Sequence, residues 1–130
     1  MTFPVRLGAL RLVQDRWKVK AVSIGENGMA VKDGRKQNLR QKLEDHDRVE
    51  WYRNSLAQIS RILHEGDIPL KGFVFWSCIS NFEWSNGYDE DFGVIYSSHG
   101  KNRSRSVKNS ARYLKDVFVN SLPSSSTKWG

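Results

Sequence analysis

The most informative segment of the sequence is Gly72-Phe-Val-Phe-Trp-Ser-Cys-Ile-Ser-Asn-Phe-Glu-Trp84. Its first eight residues are apolar on both faces, which is typical of a central parallel strand covered on each side by other elements. We therefore predict a buried strand over 72–79, followed by a loop over 81–91 that is rich in Asn, Gly and acidic residues. Such a strand brings two indoles and a carboxylate, those of Trp76, Glu83 and Trp84, to its carboxyl end.

The elements on either side follow from hydrophobic spacing and turn residues. Upstream, apolar and polar residues alternate over 19–24, which predicts a strand that leads into a Gly-Glu-Asn-Gly turn. The spacing over 47–64 predicts a helix that ends at Gly66. Downstream, 92–96 predicts a short extended segment and 107–119 a last helix. Further predictions are a helix over 3–18, an exposed excursion over 31–44, and on the 47–64 helix an apolar stripe of Val49, Tyr52, Leu56, Ile59 and Leu63.

The order strand, helix, strand, helix predicts an α/β fold with a parallel sheet and helices packed outside it. Two strands do not make a stable sheet alone. We therefore expect further strands to come from a missing part of the chain or from copies of it.

Composition excludes several classes of protein. The chain has 130 residues and a formal charge of +7, with 21 Lys and Arg against 14 Asp and Glu. The single cysteine, Cys78, excludes an internal disulfide framework and a cysteine-rich zinc site. No stretch is long and apolar enough to span a bilayer and no signal peptide is visible, which predicts a cytoplasmic protein without a membrane partner.

The candidate chemistry lies at the carboxyl ends of the two strands, where reactive groups collect in parallel α/β folds. Glu26 ends the first strand, and Trp76, Glu83 and Trp84 follow the second. Paired carboxylates cleave glycosidic bonds, and indole faces stack on sugar rings. Each signal has a plainer interpretation, because Glu-Asn-Gly is a common turn and a Trp in an apolar strand is usually core.

Taken together, these segments resemble family 1 glycoside hydrolases, the β-glucosidase and phospho-β-glycosidase family. Val22-Ser-Ile-Gly-Glu-Asn-Gly-Met-Ala30 is similar to the family's nucleophile segment, and Gly72 to Tyr88 to its last barrel strand and following loop. Asp91-Phe-Gly-Val-Ile-Tyr96 resembles the next segment, and Asp47 to Leu56 the intervening helix. The similarity extends over about 4–122 and implies a partial (β/α)8 barrel holding the last two β/α units, strands seven and eight. We expect one domain over 1–122 and a disordered tail over 123–130.

The resemblance implies a role for each site residue. Glu26 is the expected nucleophile of a retaining β-glycosidase of the β-glucosidase type, and Trp76 a wall of its sugar site. Glu83 and Trp84 are expected to bind hydroxyls of the non-reducing sugar, and Phe92 to line the pocket entrance. The implied partner is a β-glycoside or oligosaccharide substrate. No cofactor or metal is implied, because the two-carboxylate mechanism needs none.

Three departures from the family pattern qualify these expectations. The family's acid/base glutamate belongs to an Asn-Glu-Pro motif, which this sequence lacks. Retaining hydrolysis needs that second carboxyl about 5–5.5 Å from the nucleophile, so we expect the isolated chain to be inactive or nearly so. The expected protein partner is the missing N-terminal barrel half, with self-association as the alternative. Gly25 also replaces the usual Thr before the nucleophile, and Ser80 the usual Asp before Asn-Phe-Glu-Trp.

Two alternatives from other functional classes remain open. A non-catalytic carbohydrate-binding remnant could keep Trp76, Glu83 and Trp84 without the acid. The segment 99–115 carries six Lys or Arg and no acid, which permits phosphate contacts with nucleic acid. We favour a solvated loop and helix face for that segment, since charge runs usually have that origin and the family also places Arg and Lys there.

Overall fold

A pair of parallel strands lies at the centre of the structure, a computed structural model that describes residues 7–32, 37–98 and 102–121. In chain order the elements are α1 (Leu7–Trp17), β1 (Val22–Asn27), β2 (Val31–Lys32), α2 (Leu39–Glu44), α3 (His46–Glu65), β3 (Leu70–Phe75), a 3₁₀ turn (Trp84–Asn86), β4 (Glu90–Asp91), β5 (Ile95–Ser97), β6 (Arg105–Val107) and α4 (Asn109–Ser121).

The parallel pairing predicted from the sequence is confirmed. β1 and β3 pair in parallel, with Ile24 opposite Phe73 and Asn27 opposite Phe75, and α3 connects them. Each strand is displaced from its predicted bounds: β1 starts three residues later than 19, and β3 ends at Phe75 rather than at 79.

Two short antiparallel pairs were not predicted. β2 pairs with β4 inside the segments expected to be an excursion and a loop, and β5 pairs with β6. Val107, expected in the last helix, instead ends β6 and is 47% exposed, and α4 begins at Asn109. The β2–β4 pair brings the segments that follow β1 and β3 side by side.

The long helix α3 ends where the sequence predicted, but its buried face is rotated. Gly66 adopts the left-handed conformation at φ 70°, and its amide donates to the Ile62 carbonyl over 3.0 Å. Ile62 is fully buried, whereas Leu63, which we had placed in the stripe, is 59% exposed. Because the helical period is 3.6 residues, the spacing alone allows either Ile62 or Leu63 to be the buried residue. Packing against β3 determines that Ile62 is buried. The buried residues of α3 are Arg48, Trp51, Tyr52, Ser55, Ile59 and Ile62.

Two apolar clusters hold α3 to the sheet and to α4. The first joins Ile59 and Ile62 of α3 to Ile68 and Leu70 at the start of β3. The second joins Trp51 and Tyr52 of α3 to Val94 and Leu114. The second cluster lies beneath the carboxyl ends of the strands, so it supports the segments that carry the candidate site residues.

The opposite face of the sheet is open, which corrects the expectation of cover on both sides. Val74 of β3 is 56% exposed, and Ser23 and Gly25 of β1 are exposed as well. Nothing in the described ranges packs on this face. The apolar run over 72–79 is typical of a strand covered on both faces. In the described residues, other elements cover only one face of β3.

Two expectations concern other parts of the chain. The tail over 123–130 and the start of the predicted first helix, before residue 7, lie outside the described residues. In the described ranges, the longest helices do not combine the length and apolarity needed to cross a bilayer.

The corrected face of α3 can be tested by neighbouring substitutions. We expect Ile62→Val to lower the free energy of unfolding by about 1 kcal/mol, because it removes a methylene from a fully buried side chain. Leu63→Ala deletes more atoms but should change it by less than about 0.5 kcal/mol, because that side chain is largely exposed. Urea unfolding of both variants gives the comparison, and equal losses would contradict the rotated face.

Candidate functional site

Glu26 and Trp76 leave the parallel sheet side by side. Glu26 is the second-last residue of β1 and is exposed, and Trp76 follows directly after β3. The Trp76 amide donates to the Asn27 carbonyl over 2.8 Å, which extends the strand pairing by one residue beyond β3. The mouth, as we call the surface around Glu26, Trp76, Glu83 and Phe92, begins at this pairing.

Glu83 is turned inward onto the Trp76 indole. The indole Nε1 donates to Glu83 Oε1 over 3.3 Å, and Glu83 is only 8% exposed. The 3₁₀ turn fixes its backbone, since the Glu83 amide donates to the Gly87 carbonyl over 2.7 Å and the Glu83 carbonyl accepts from Asn86 over 2.9 Å. Gly87 has φ 59°, a conformation that glycine adopts readily. In the described part of the chain, no donor is bonded to the second oxygen, Oε2, so it can accept from a ligand hydroxyl.

The pKa of Glu83 is raised, chiefly by burial, and neighbouring carboxylates, Glu26 among them, contribute to the rise. Burial raises the pKa of Glu83, and the hydrogen bond from Trp76 partly offsets this effect. The negative charges of Asp91, Glu26 and Glu90 raise the pKa of Glu83 further. The backbone and the indole join these residues more directly, because the Trp76 amide donates to the Asn27 carbonyl, next to Glu26, and the Trp76 indole donates to Glu83.

Gly28 allows the loop after β1 to pass directly beneath Trp76 and Phe92. A Cβ on Gly28 would lie 1.8 Å from the Trp76 carbonyl oxygen and 3.3 Å from Cδ1 of Phe92. Phe92 is half-buried, and its carbonyl accepts from the Ser77 amide over 3.2 Å. This close approach joins the two segments that form the walls of the mouth.

The five sequence-predicted site residues do not all share the same surroundings. The structure brings together Glu26, Trp76, Glu83 and Phe92, while Trp84 projects outward and is 84% exposed. Trp84 also has a positive φ of 47°. It lies largely exposed at the rim of the mouth.

The two departures from the family pattern have different surroundings. Nothing lies within 4 Å of a Cβ built on Gly25, so a threonine side chain would fit there. Ser80 is integrated, since both its amide and its hydroxyl donate to the Ile95 carbonyl, over 3.0 and 3.1 Å. Gly25 therefore borders open space, whereas Ser80 is bonded to the segment of Ile95.

Sequence reasoning placed Tyr52 on the buried stripe but missed its polar contact behind the mouth, and it missed Arg48 altogether. Tyr52 donates from its hydroxyl to the Trp76 carbonyl over 3.3 Å, and burial raises the pKa of Tyr52 to about 12. Arg48 is fully buried and makes several bonds to the loops, and Asp91 lies beside it. A signal was present, because Arg48 lies one turn before Tyr52 on the apolar face, and a cation there must be paired.

The basic segment is not the continuous solvated run expected from the sequence. Lys108 is buried and paired with Asp91, and burial lowers the pKa of Lys108, as does the neighbouring Arg48 charge. Arg112 donates to the Asn109 side chain over 3.0 Å. The remaining described cations of the segment, Arg103, Arg105 and Lys115, are exposed. Within the described ranges, moreover, no group of three or more His, Cys, Asp or Glu could hold a metal ion.

The pKa of Glu83 can be followed through its indole partner. We expect the Trp76 indole N–H resonance to titrate with a midpoint above that of an ordinary glutamate. The pKa of Glu83 is higher in the folded than in the unfolded chain. The contribution of Glu83 to the free energy of unfolding should therefore fall as the pH rises from the unfolded-state pKa through the folded-state pKa. Both effects should vanish in Glu83→Gln, and a midpoint at the ordinary value would contradict the buried position of Glu83.

Comparison with known proteins places the whole arrangement in one family. The family model described as Glycosyl hydrolase family 1 matches residues 3–122. The 1,4-beta-D-glucan glucohydrolase of Thermotoga neapolitana is 32% identical over 111 residues, covering 85% of this chain and 24% of that protein. Beta-glucosidase 1B of Phanerodontia chrysosporium is 34% identical over 99 residues, covering 76% of this chain and 18% of that protein.

The structural comparison agrees. The crystal structure of a GH1 beta-glucosidase from the fungus Humicola insolens, in complex with glucose, matches with a TM-score of 0.80 and 30% identity, over 87% of this chain and 24% of that one. The chain therefore spans about a quarter or less of the length of these relatives and corresponds to a fragment of their (β/α)8 barrel. The match over 3–122 shows that this chain belongs to glycosyl hydrolase family 1.

Proposed function

We propose that this chain supplies the nucleophile and part of the sugar site of a retaining β-glycosidase of the β-glucosidase type, which hydrolyses O-glycosyl bonds. One observation carries the proposal. The carbonyl of Asn27, next to Glu26, accepts from the Trp76 amide, and the Trp76 indole donates to Glu83, so the Glu26 segment and an indole-backed acceptor meet at the ends of the paired strands. The relative from Humicola insolens, which binds glucose in its crystal structure, supports a glucose-type sugar.

Each residue then has a chemical role. The Glu26 carboxylate attacks the anomeric carbon, the bond to the leaving oxygen breaks, and a glycosyl ester forms until water hydrolyses it. Glu83 Oε2 accepts from sugar hydroxyls, Trp76 forms the wall behind the ring, and Trp84 and Phe92 cover the ring from the rim. A raised pKa does not make Glu83 the general acid in this proposal, because its bond to Trp76 assigns it to binding.

The general acid is proposed to come from residues beyond these 130. No Asn-Glu-Pro occurs in the sequence, and a leaving group of ordinary basicity needs protonation as its bond breaks. We propose that α3, α4, β1 and β3 are the last two β/α units of the barrel, with β1 and β3 as its strands seven and eight. The rest of the barrel would supply the acid and the missing strands.

Exposed apolar surface supports completion of the barrel by another polypeptide segment. An apolar groove of about 350 Å³ lies between β3 and α4, and its lining includes Phe75, Leu114 and Phe118. Phe118 is 45% exposed and Val119 57%, and the open sheet face adds Val74. Exposed apolar surface on both faces of the strand pair is consistent with interfaces that the described residues leave uncovered. We assign this surface to the remaining barrel segment, and self-association is the competing outcome.

Covalent labelling tests the nucleophile without needing the acid. A 2-deoxy-2-fluoro glucoside with a dinitrophenolate leaving group departs without protonation, so it should label even the isolated chain, and faster once the barrel is completed. Peptide mass analysis is expected to find the fluorosugar on Glu26. Labelling at another carboxylate, or none in a completed, folded barrel, would refute the proposed nucleophile.

A non-catalytic sugar-binding protein is the second candidate, favoured by the absence of the acid motif from this sequence. It requires the same Trp76 and Glu83 contacts but no covalent step. Its signature is quenching of Trp fluorescence by glucose without labelling of Glu26 and without turnover of an aryl β-glucoside in the completed barrel.

A further inference from the structure

Arg48 connects the two walls of the mouth from behind. Its side chain is fully buried at the start of α3. The guanidinium donates from Nε to the Met29 carbonyl over 3.3 Å, from Nη1 to the Gly93 carbonyl over 2.9 Å, and from Nη2 to the Asp91 carbonyl. Met29 lies three residues after Glu26, and Asp91 and Gly93 flank Phe92. One rigid group therefore holds the backbone on both sides of the mouth.

The Arg48 charge is balanced by carboxylates that are themselves fixed. Asp45 Oδ2 accepts from Arg48 Nη1 over 2.8 Å and from the Ser110 hydroxyl over 2.6 Å, and Asp45 Oδ1 accepts from the Ser110 amide over 3.0 Å. Asp91 pairs with Lys108 through Oδ2 and accepts from the Gly93 amide through Oδ1 over 2.8 Å. We call Asp45, Arg48, Asp91 and Lys108 the buried charge cluster, and it has no net formal charge.

Such a cluster is a poor source of stability, since burying two ion pairs has a large desolvation cost. Its geometric effect is specific, because the planar guanidinium donates in fixed directions that a lysine ammonium does not reproduce. The three carbonyls it binds belong to two segments that are more than sixty residues apart in the chain. This arrangement fixes the separation between the segment after Glu26 and the segment of Phe92.

We propose that Arg48 is a positioning residue of the sugar site, which sets the width of the mouth by holding the Met29 carbonyl and the carbonyls on both sides of Phe92 at a fixed spacing. The inference rests on the proposed function, in which Glu26 and Phe92 contact the sugar. Arg48 does not touch the sugar and acts only through the backbone of the two segments.

Arg48→Lys tests this role because it keeps the charge and removes the fork of donors. A wider mouth exposes Glu83 and moves it from Asp91, so the titration midpoint reported by the Trp76 indole should fall toward the ordinary glutamate value. Labelling of Glu26 by the fluoroglucoside should slow by about tenfold, because a displacement near 1 Å is sufficient for losses of that size. Arg61→Lys is the matched control, since Arg61 pairs with Glu65 on the exposed surface of the same helix.

The outcomes separate this inference from the proposed function. If Arg48→Lys folds with an unchanged Trp76 titration and unchanged labelling, the positioning role is wrong. If the completed wild-type barrel shows no labelling of Glu26, the proposed nucleophile fails, yet the shift in the Trp76 titration still decides whether Arg48 sets the mouth. A fall in the midpoint in Arg48→Lys but not in Arg61→Lys supports it.

A measurement on the wild-type chain covers the case in which Arg48→Lys does not fold. The Trp76 amide donates to the Asn27 carbonyl, which belongs to the wall formed by the segment after Glu26. The Gly93 amide donates to the Asp91 side chain in the other wall, the segment that holds Phe92. If Arg48 couples the walls, both amides should exchange with deuterium through one opening reaction, with equal free energies and equal denaturant dependence. Opening of Gly93 at much lower free energy than Trp76 would overturn the proposal.

Discussion

Gly28→Ala should abolish the mouth, although it adds only one methyl group. The new Cβ would lie 1.8 Å from the Trp76 carbonyl oxygen and 2.8 Å from the Trp76 carbonyl carbon. Both atoms are backbone, and the Trp76 amide is bonded to Asn27 next to the substitution, so neither side can yield locally. The loop after β1 must move away from β3, which separates Glu26 from Trp76. We expect the free energy of unfolding to fall by more than about 3 kcal/mol.

Gly25→Ala is the matched control for this prediction. It lies three residues earlier, within β1, and nothing lies within 4 Å of its added Cβ. Replacing a strand glycine by alanine also removes backbone freedom from the unfolded chain, so Gly25→Ala should be neutral or stabilise by up to about 1 kcal/mol. Urea unfolding gives the free energies of unfolding of both variants. Loss of the raised titration midpoint of the Trp76 indole in Gly28→Ala, but not in Gly25→Ala, would show that the mouth is disrupted. Equal behaviour of the two variants would show that the close approach at Gly28 does not exist.

The parts of the fold that were predictable depend on local chemistry. Gly66 could be assigned as the end of α3 because a left-handed glycine is a requirement of the helix terminus itself. The parallel pairing of β1 and β3 followed from the order of elements alone. By contrast, β6 consists of three residues whose pairing with β5 depends on contacts distant in the chain, so Val107 was placed in the helix that follows.

The candidate site also has features that the sequence could predict and features that depend on tertiary packing. Convergence of Glu26, Trp76 and Glu83 could be predicted, because parallel strands deliver their carboxyl ends to one edge. The 84% exposure of Trp84 could not, since it depends on which elements cover the rim. Arg48 was missed because spacing identifies apolar faces, and a charged residue on such a face is recognised only by asking where its partners are.

Removing the nucleophile should have the largest effect on activity. In a completed barrel, we expect Glu26→Ala to lower kcat by about 10⁵-fold, because no carboxylate remains to form the glycosyl ester. Azide should restore part of the rate by attacking the anomeric carbon from the vacated position. Since this route has a single displacement, its product should be the α-glycosyl azide, whereas the two displacements of the proposed mechanism retain the β configuration.

The isolated chain provides a second measurement of the same substitution. Glu26→Ala removes a negative charge that raises the pKa of Glu83, so the midpoint reported by the Trp76 indole should fall while burial keeps it above the ordinary glutamate value. Glu90→Gln is the control, because its charge also raises the pKa of Glu83, and more weakly than Glu26 does, so its shift should be smaller. A Glu26→Ala chain with an unchanged midpoint would mean that the two carboxylates do not share a mouth. The sugar site proposed here would then have no nucleophile.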